Sequence, residues 1–163
     1  LSAIDSIKDL KRCKYITAHS SGGVEMLKAI KKKSKKINKN LKVLGVTILT
    51  SLDNKQTKKY YNQENIEALV KKFAKQAKKN KLDGIVCSPN EIKYIRKEVG
   101  KKFLIVTPGI RLNKFDIKKD DQQRILDPLS AIEQGANLLV IGRPILNSKD
   151  PLKKLMEINK SLN

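Results

Sequence analysis

Five short apolar runs, each followed by small or polar residues and then by a stretch with helical spacing, set the tightest limit on how this chain folds. The runs are Tyr15 to His19, Val43 to Leu49, Gly84 to Cys87, Phe103 to Val106 and Leu138 to Ile141. Runs this short, bounded by turn residues, read as strands, and strands that are apolar throughout are buried on both faces. Between them lie helical patterns: Val24, Leu27 and Ile30 on one side of a helix, then Asn65 to Ala77, Glu91 to Val99, Pro128 to Gln134, and Pro151 to about Ile158. A further helix is expected at the start, where Leu1, Ile4, Ile7 and Leu10 recur at three-residue spacing. Alternation of this kind predicts an α/β fold with a parallel sheet, because parallel strands need a crossover and the crossovers are right-handed.

Two parallel architectures fit that pattern. A doubly wound dinucleotide fold would carry G-x-G-x-x-G after its first strand, and this chain has Ser20-Ser21-Gly22-Gly23 there. Four of the five runs end directly in small or polar groups: His19-Ser20, Thr50-Ser51, Thr107-Pro108-Gly109 and Gly142-Arg143. A ring of loops around one mouth would look like this, so the expectation is a (β/α)8 TIM barrel. Such barrels take about 250 residues, with about 200 a usual floor. At 163 residues the chain reads as an incomplete barrel with five of the eight strands, forming one domain over 1–163.

The formal charge is +20. Only Arg12, Arg96, Arg111, Arg124 and Arg143 among the 36 basic residues are arginines, and the lysines are spread along the chain. With few aromatic rings to stack on bases, specific nucleic-acid recognition is not expected. The densest run, Lys31 to Lys36, reads as a solvated helix end facing the negative pole of the dipole. No apolar stretch approaches the roughly 18 residues that cross a bilayer, and the start lacks the layout of a signal peptide. A cytoplasmic protein with neither a membrane nor a nucleic-acid partner is expected. Cys13 and Cys87 have no metal or disulfide spacing and read as small buried residues.

The stretch Leu138-Leu139-Val140-Ile141-Gly142-Arg143-Pro144 carries the clearest chemistry. A glycine at a strand's C-terminal end lets another group approach the backbone, and an arginine beside it offers a planar fork suited to phosphate or carboxylate. Phosphate commonly sits after the last strands of a barrel. The alternative is a surface turn.

His19-Ser20-Ser21-Gly22-Gly23, Val46 to Ser51, Val106-Thr107-Pro108-Gly109-Ile110-Arg111, Asp121-Gln122-Gln123-Arg124 and Ile141-Gly142-Arg143-Pro144 together resemble the bacterial type of orotidine 5′-monophosphate decarboxylase. The resemblance runs from the first helix to the last and corresponds to the later part of that enzyme. It implies that Arg143 and Gly142 hold the substrate phosphate and that Gln122, on a loop closing over it, contributes. It also implies that Arg111 contacts substrate and that Thr50 hydrogen-bonds the pyrimidine. Simpler readings stand beside these: Arg111 as a surface arginine, Gln122 as a solvated loop residue, Thr50 as a helix cap. His19 reads as packed and hydrogen-bonded, and Gly22 and Gly23 as a tight turn. The polar segment from Leu112 to Asp121 reads as a lid.

The family's catalytic signature, Asp-x-Lys-x-x-Asp, is the main departure, since 1–163 does not contain it; Asp5-Ser6-Ile7-Lys8-Asp9 has the residue types at the wrong spacing. No catalytic residue is assigned here, the lysine being expected upstream of Leu1. The resemblance implies conversion of orotidine 5′-monophosphate to uridine 5′-monophosphate in pyrimidine biosynthesis, with no metal or organic cofactor, by a homodimer in which one aspartate crosses from the partner. The chain alone is expected to be inactive. Two rivals are a non-catalytic module that binds nucleotide phosphate and a sugar-phosphate synthase or aldolase of the same superfamily, which would hold magnesium through carboxylates at strand ends.

Overall fold

Residues 2–7, 12–112 and 125–162 are described by a computed structural model. Each apolar run supplies one strand: β1 (Tyr15–His19), β2 (Lys42–Val46), β3 (Gly84–Val86), β4 (Leu104–Thr107) and β5 (Leu138–Leu139). All neighbours pair in parallel and their spatial order is their order in sequence, β1-β2-β3-β4-β5. That order separates the two candidate architectures. A doubly wound sheet reverses direction at a switch point and takes helices on both faces, whereas sequential right-handed crossovers put every helix on one face. The sheet is an open arc of the barrel type.

The helices are α1 (Ser2–Asp5), α2 (Gly23–Ile37), α3 (Asn54–Tyr61), α4 (Ile66–Lys79), α5 (Ile92–Val99), α6 (Pro128–Glu133), α7 (Arg143–Leu146) and α8 (Pro151–Lys160). The core lies between them and one face of the sheet. Register aligns Ile16 with Val43 and Ile85 with Ile105, and the last three are fully buried against Val70, Ala74 and Ala77 of α4 and Ile92 and Ile95 of α5. Each such aliphatic side chain stabilises the fold by about 1.5–3 kcal/mol. Small residues at the sheet–helix contact set how closely α4 approaches: a Cβ on Gly45 would stand 3.2 Å from the Cβ of Ala77 and 2.7 Å from the Ser20 hydroxyl.

Two polar clamps fix the N-terminal ends of the strands. Asp83, just before β3, accepts from the amide of Val43 at 2.7 Å and pairs with Lys31 of α2. Arg96 of α5 donates to the carbonyls of Gly100 and Phe103, each at 2.7 Å, to Gly135 O and to the Asn137 side chain at 2.7 Å. Asn137 Oδ1 also accepts from Ile105 N at 2.9 Å, locking the start of β5 to β4. Burial pulls the pKa of the Arg96 guanidinium below its ordinary value.

Several expectations are corrected. Lys31 and Ser34 are buried, so the lysine run is not wholly a solvated helix end; the Asp83 carboxylate draws Lys31 in. The last strand is half-buried, with Val140 exposed; among the described residues β5 pairs with β4 alone. Cys87 is buried as expected, but Cys13 is only partly covered. His19, on the open edge strand β1, is exposed. The opening helix extends over Ser2–Asp5 alone among the described residues. Helix α3 is not foreshadowed by apolar periodicity, since its sequence is polar apart from two tyrosines. Its signal is the capping box: Gln56 N donates to Asp53 Oδ1 at 2.7 Å and Asp53 N to Gln56 Oε1 at 3.0 Å.

Candidate functional site

Parallel strands deliver their C-terminal ends to one side, and there the chain turns polar. After β2, Thr47 donates through both its amide and its hydroxyl to Val86 O, at 3.1 and 3.0 Å, so the loop leaves the sheet still tied to β3. The loop then tightens, with Leu52 N bonded to Leu49 O at 3.0 Å, and ends at the Asp53 cap. Thr50 is held between these two anchors and is buried. Asp53 does the capping, so the reading of Thr50 as a helix cap does not hold.

After β4 the backbone adopts a positive φ of 78° at Gly109, a conformation that favours glycine. It then pairs with a returning segment through an isolated bridge between Ile110 and Leu126. Arg111 N donates to Leu126 O at 3.0 Å, and Leu126 N to Gly109 O at 3.2 Å. These bonds fix the backbone of Arg111, and its Nη1 donates to Ile110 O at 2.7 Å. Arg111 is 7% exposed, which removes the surface-arginine reading: a guanidinium taken this far from water needs partners for its charge. Next to the bridge, Asp127 caps α6 by accepting from Ser130 N at 2.9 Å, and the hydrogen bonds from Ser130 hold its carboxyl below the usual range.

After β5, Val140 N bonds to Thr107 O at 2.9 Å and the chain turns at Gly142 into α7. Gly142 O accepts from Ile145 N at 2.9 Å and Leu146 N at 3.0 Å. A Cβ built on Gly142 meets nothing within 4 Å, so open space adjoins its backbone. Arg143, the first residue of α7, is exposed beside it.

Thr50, Arg111, Gly142 and Arg143 thus follow β2, β4 and β5 on the same side of the sheet. With neighbouring strands about 4.8 Å apart, β2 to β5 spans about 14 Å, a reach suited to a nucleotide. Gln122 lies outside the described residues. The same side holds three hydroxyls to which the sequence analysis gave no role: Ser20, after β1, Ser88, after β3, and Thr107, at the end of β4, whose buried oxygens have no hydrogen-bond partner among the described residues. Gly23, with φ of 85°, supports the tight-turn reading of that glycine. Among the described residues no group of three or more His, Cys, Asp or Glu side chains is placed to hold a metal ion, and no helix is long and apolar enough to cross a membrane.

Residues 5–158 match the orotidine 5′-phosphate decarboxylase / HUMPS family, and the chain belongs to that family. Orotidine 5′-phosphate decarboxylase of Coxiella burnetii is 44% identical over 146 residues, covering 88% of this chain and 61% of the relative. The enzyme of that name from Staphylococcus epidermidis is 42% identical over 147 residues, 90% of this chain and 63% of its own length. Among solved structures, orotidine 5′-phosphate decarboxylase from Lactobacillus acidophilus superposes with a TM-score of 0.83 at 31% identity, covering 99% of this chain and 68% of that one. The chain therefore spans a little over three fifths of the length of these curated relatives.

Proposed function

We propose that 1–163 is the C-terminal part of a barrel that decarboxylates orotidine 5′-monophosphate to uridine 5′-monophosphate in pyrimidine biosynthesis, and that this part grips the phosphate and the pyrimidine. The observation that carries the reading is that Arg111 follows β4 and Gly142 and Arg143 follow β5 on the C-terminal side of the sheet, in a chain of this family. Arg143 supplies a charge-assisted fork for the phosphate, and the open space at Gly142 lets phosphate oxygens reach the backbone. Arg111, its backbone fixed by Leu126, adds a second positive charge. Thr50 presents a hydroxyl toward the base, and Gln122 completes the phosphate contacts.

Chemistry is then divided between two portions of the protein. The C6–carboxylate bond breaks to release carbon dioxide, and the electron pair left on C6 takes a proton from the lysine of an Asp-x-Lys-x-x-Asp segment outside 1–163. Phosphate and ribose, remote from the broken bond, contribute binding energy that holds the pyrimidine in place for that step. The complete enzyme acts as a cytoplasmic homodimer without metal or organic cofactor, and 1–163 alone turns nothing over.

Calorimetric titration of 1–163 tests the grip. Uridine 5′-monophosphate is expected to bind and uridine is not, and Arg143→Ala is expected to abolish the difference. Equal binding of nucleotide and nucleoside, or an Arg143→Ala chain that still prefers the nucleotide, would overturn the assignment; substantial decarboxylation by 1–163 would overturn the division of labour.

A further inference from the structure

Helices that return antiparallel to the strands bring their C-termini to the side where the strands begin, opposite the candidate site. Lysines crowd both sets of ends. One row stands at the strand starts: Lys14 before β1, Lys42 opening β2, Lys81 before β3, and Lys101 and Lys102 before β4. A second row stands at the helix ends: Lys35 and Lys36 on α2, Lys78 and Lys79 on α4, and Lys97 on α5. All ten are exposed. Of the carboxylates at these ends, Asp83 is engaged by Lys31 and Glu98 by Lys75 at 3.0 Å, while Glu133 at the end of α6 lines a neighbouring groove with Lys101. Acidic residues collect on the other side instead, where Glu25 and Glu67 lie in first turns and Asp53, Asp127 and Asp150 cap helices. The helix dipole favours this sorting at both poles. Ten exposed lysines that look scattered in sequence are therefore brought to one side of the sheet.

Between the two rows runs a groove lined by Lys42, Lys78 and Lys102, with Asp83, Val99 and Phe103 along it. Adjacent strand starts are about 4.8 Å apart, so the row from β1 to β4 extends about 14 Å. That is a linear track of cations. Against the expectation of no nucleic-acid partner drawn from the sequence, we propose that this face binds the sugar-phosphate backbone of a nucleic-acid duplex without sequence preference, centred on the groove. Lysine is a compact point charge suited to phosphate, without the planar fork that reads base edges. With three Phe, four Tyr and no Trp in the whole chain, a stacking platform for single strands is not what these ends offer. The row favours a linear polyanion over a lipid surface.

Fluorescence anisotropy with a short labelled DNA duplex, between about 50 and 200 mM salt, tests the proposal on 1–163. Affinity is expected to fall steeply with salt, and excess uridine 5′-monophosphate is expected not to compete. The triple variant K42Q/K78Q/K102Q should flatten the slope of log affinity against log salt by about 2.7, from about 0.9 per lost phosphate contact. The single variant K102Q should flatten it by about 0.9. K55Q/K59Q/K153Q, with the same charge loss on exposed positions elsewhere, should leave the slope unchanged. Equal slopes for the two triple variants would show that net charge alone acts and would overturn the face. Competition by the mononucleotide, no binding at the lowest salt, or lysine-dependent binding to phosphatidylserine vesicles without duplex binding would overturn it as well.

Discussion

The two ends of the five strands are built from different materials. Where the strands begin, charged side chains are committed to the backbone: Asp83 holds Val43 N and Lys31, and Arg96 gathers five acceptors from two loops. Where the strands finish, the backbone is held by its own bonds and by short caps, as at the Ile110–Leu126 bridge and the Asp53 and Asp127 caps. Side chains such as Arg143 are thereby left at the surface. If the proposed site is right, stability and ligand binding are separated along the strand axis, and a change at one end should leave the other property standing.

The strongest challenge to that separation is Arg96→Ala. Removing the guanidinium leaves the carbonyls of Gly100, Phe103 and Gly135 without their donor, and about 3 kcal/mol of stability should be lost in urea denaturation. Nucleotide affinity of the remaining folded fraction should not change. Asp83→Asn keeps the shape but removes the partner of the buried Lys31, and about 2 kcal/mol should go in the same assay.

A smaller effect is expected at the site end. Asp127→Ala removes a helix cap and should cost about 1 kcal/mol. The carboxyl's folded pKa is depressed by Ser130, so its contribution is present above the unfolded value and is lost as pH falls through the lower folded value. Wild type should accordingly lose stability relative to Asp127→Ala on acidification below the ordinary carboxylate range, and a difference independent of pH would contradict the cap assignment. Arg143→Ala should have the least effect on stability, within about 0.5 kcal/mol, while nucleotide binding drops about 100-fold, near the upper range for a charge-assisted contact.

Much of this arrangement is legible in the amino-acid sequence itself. The five strands stand out because parallel, two-face burial demands continuous apolar runs, and small or polar residues after those runs mark the side on which Thr50, Arg111, Gly142 and Arg143 stand. What escapes a sequence reading depends on partners distant along the chain. Lys31 looks like its neighbours until Asp83, 52 residues away, is folded against it. Helix α3 is nearly without apolar spacing and is declared only by Asp53 and Gln56. The exposure of Val140 goes with the pairing of β5 to β4 alone among the described residues, which no local pattern encodes. Arg96 reads as one more cation on a helix until the loops before β4 and β5 close around it.

The most direct measurement is a nuclear magnetic resonance titration of 1–163 with uridine 5′-monophosphate, following backbone amides. Shifts clustered at Thr50, Gly109 to Arg111 and Gly142 to Arg143, with Asp83, Arg96 and Asn137 unmoved, are the predicted result. Shifts centred instead on Lys42, Lys78 and Lys102 would contradict it, because the nucleotide would then be held by the basic face and not by the ends of the strands.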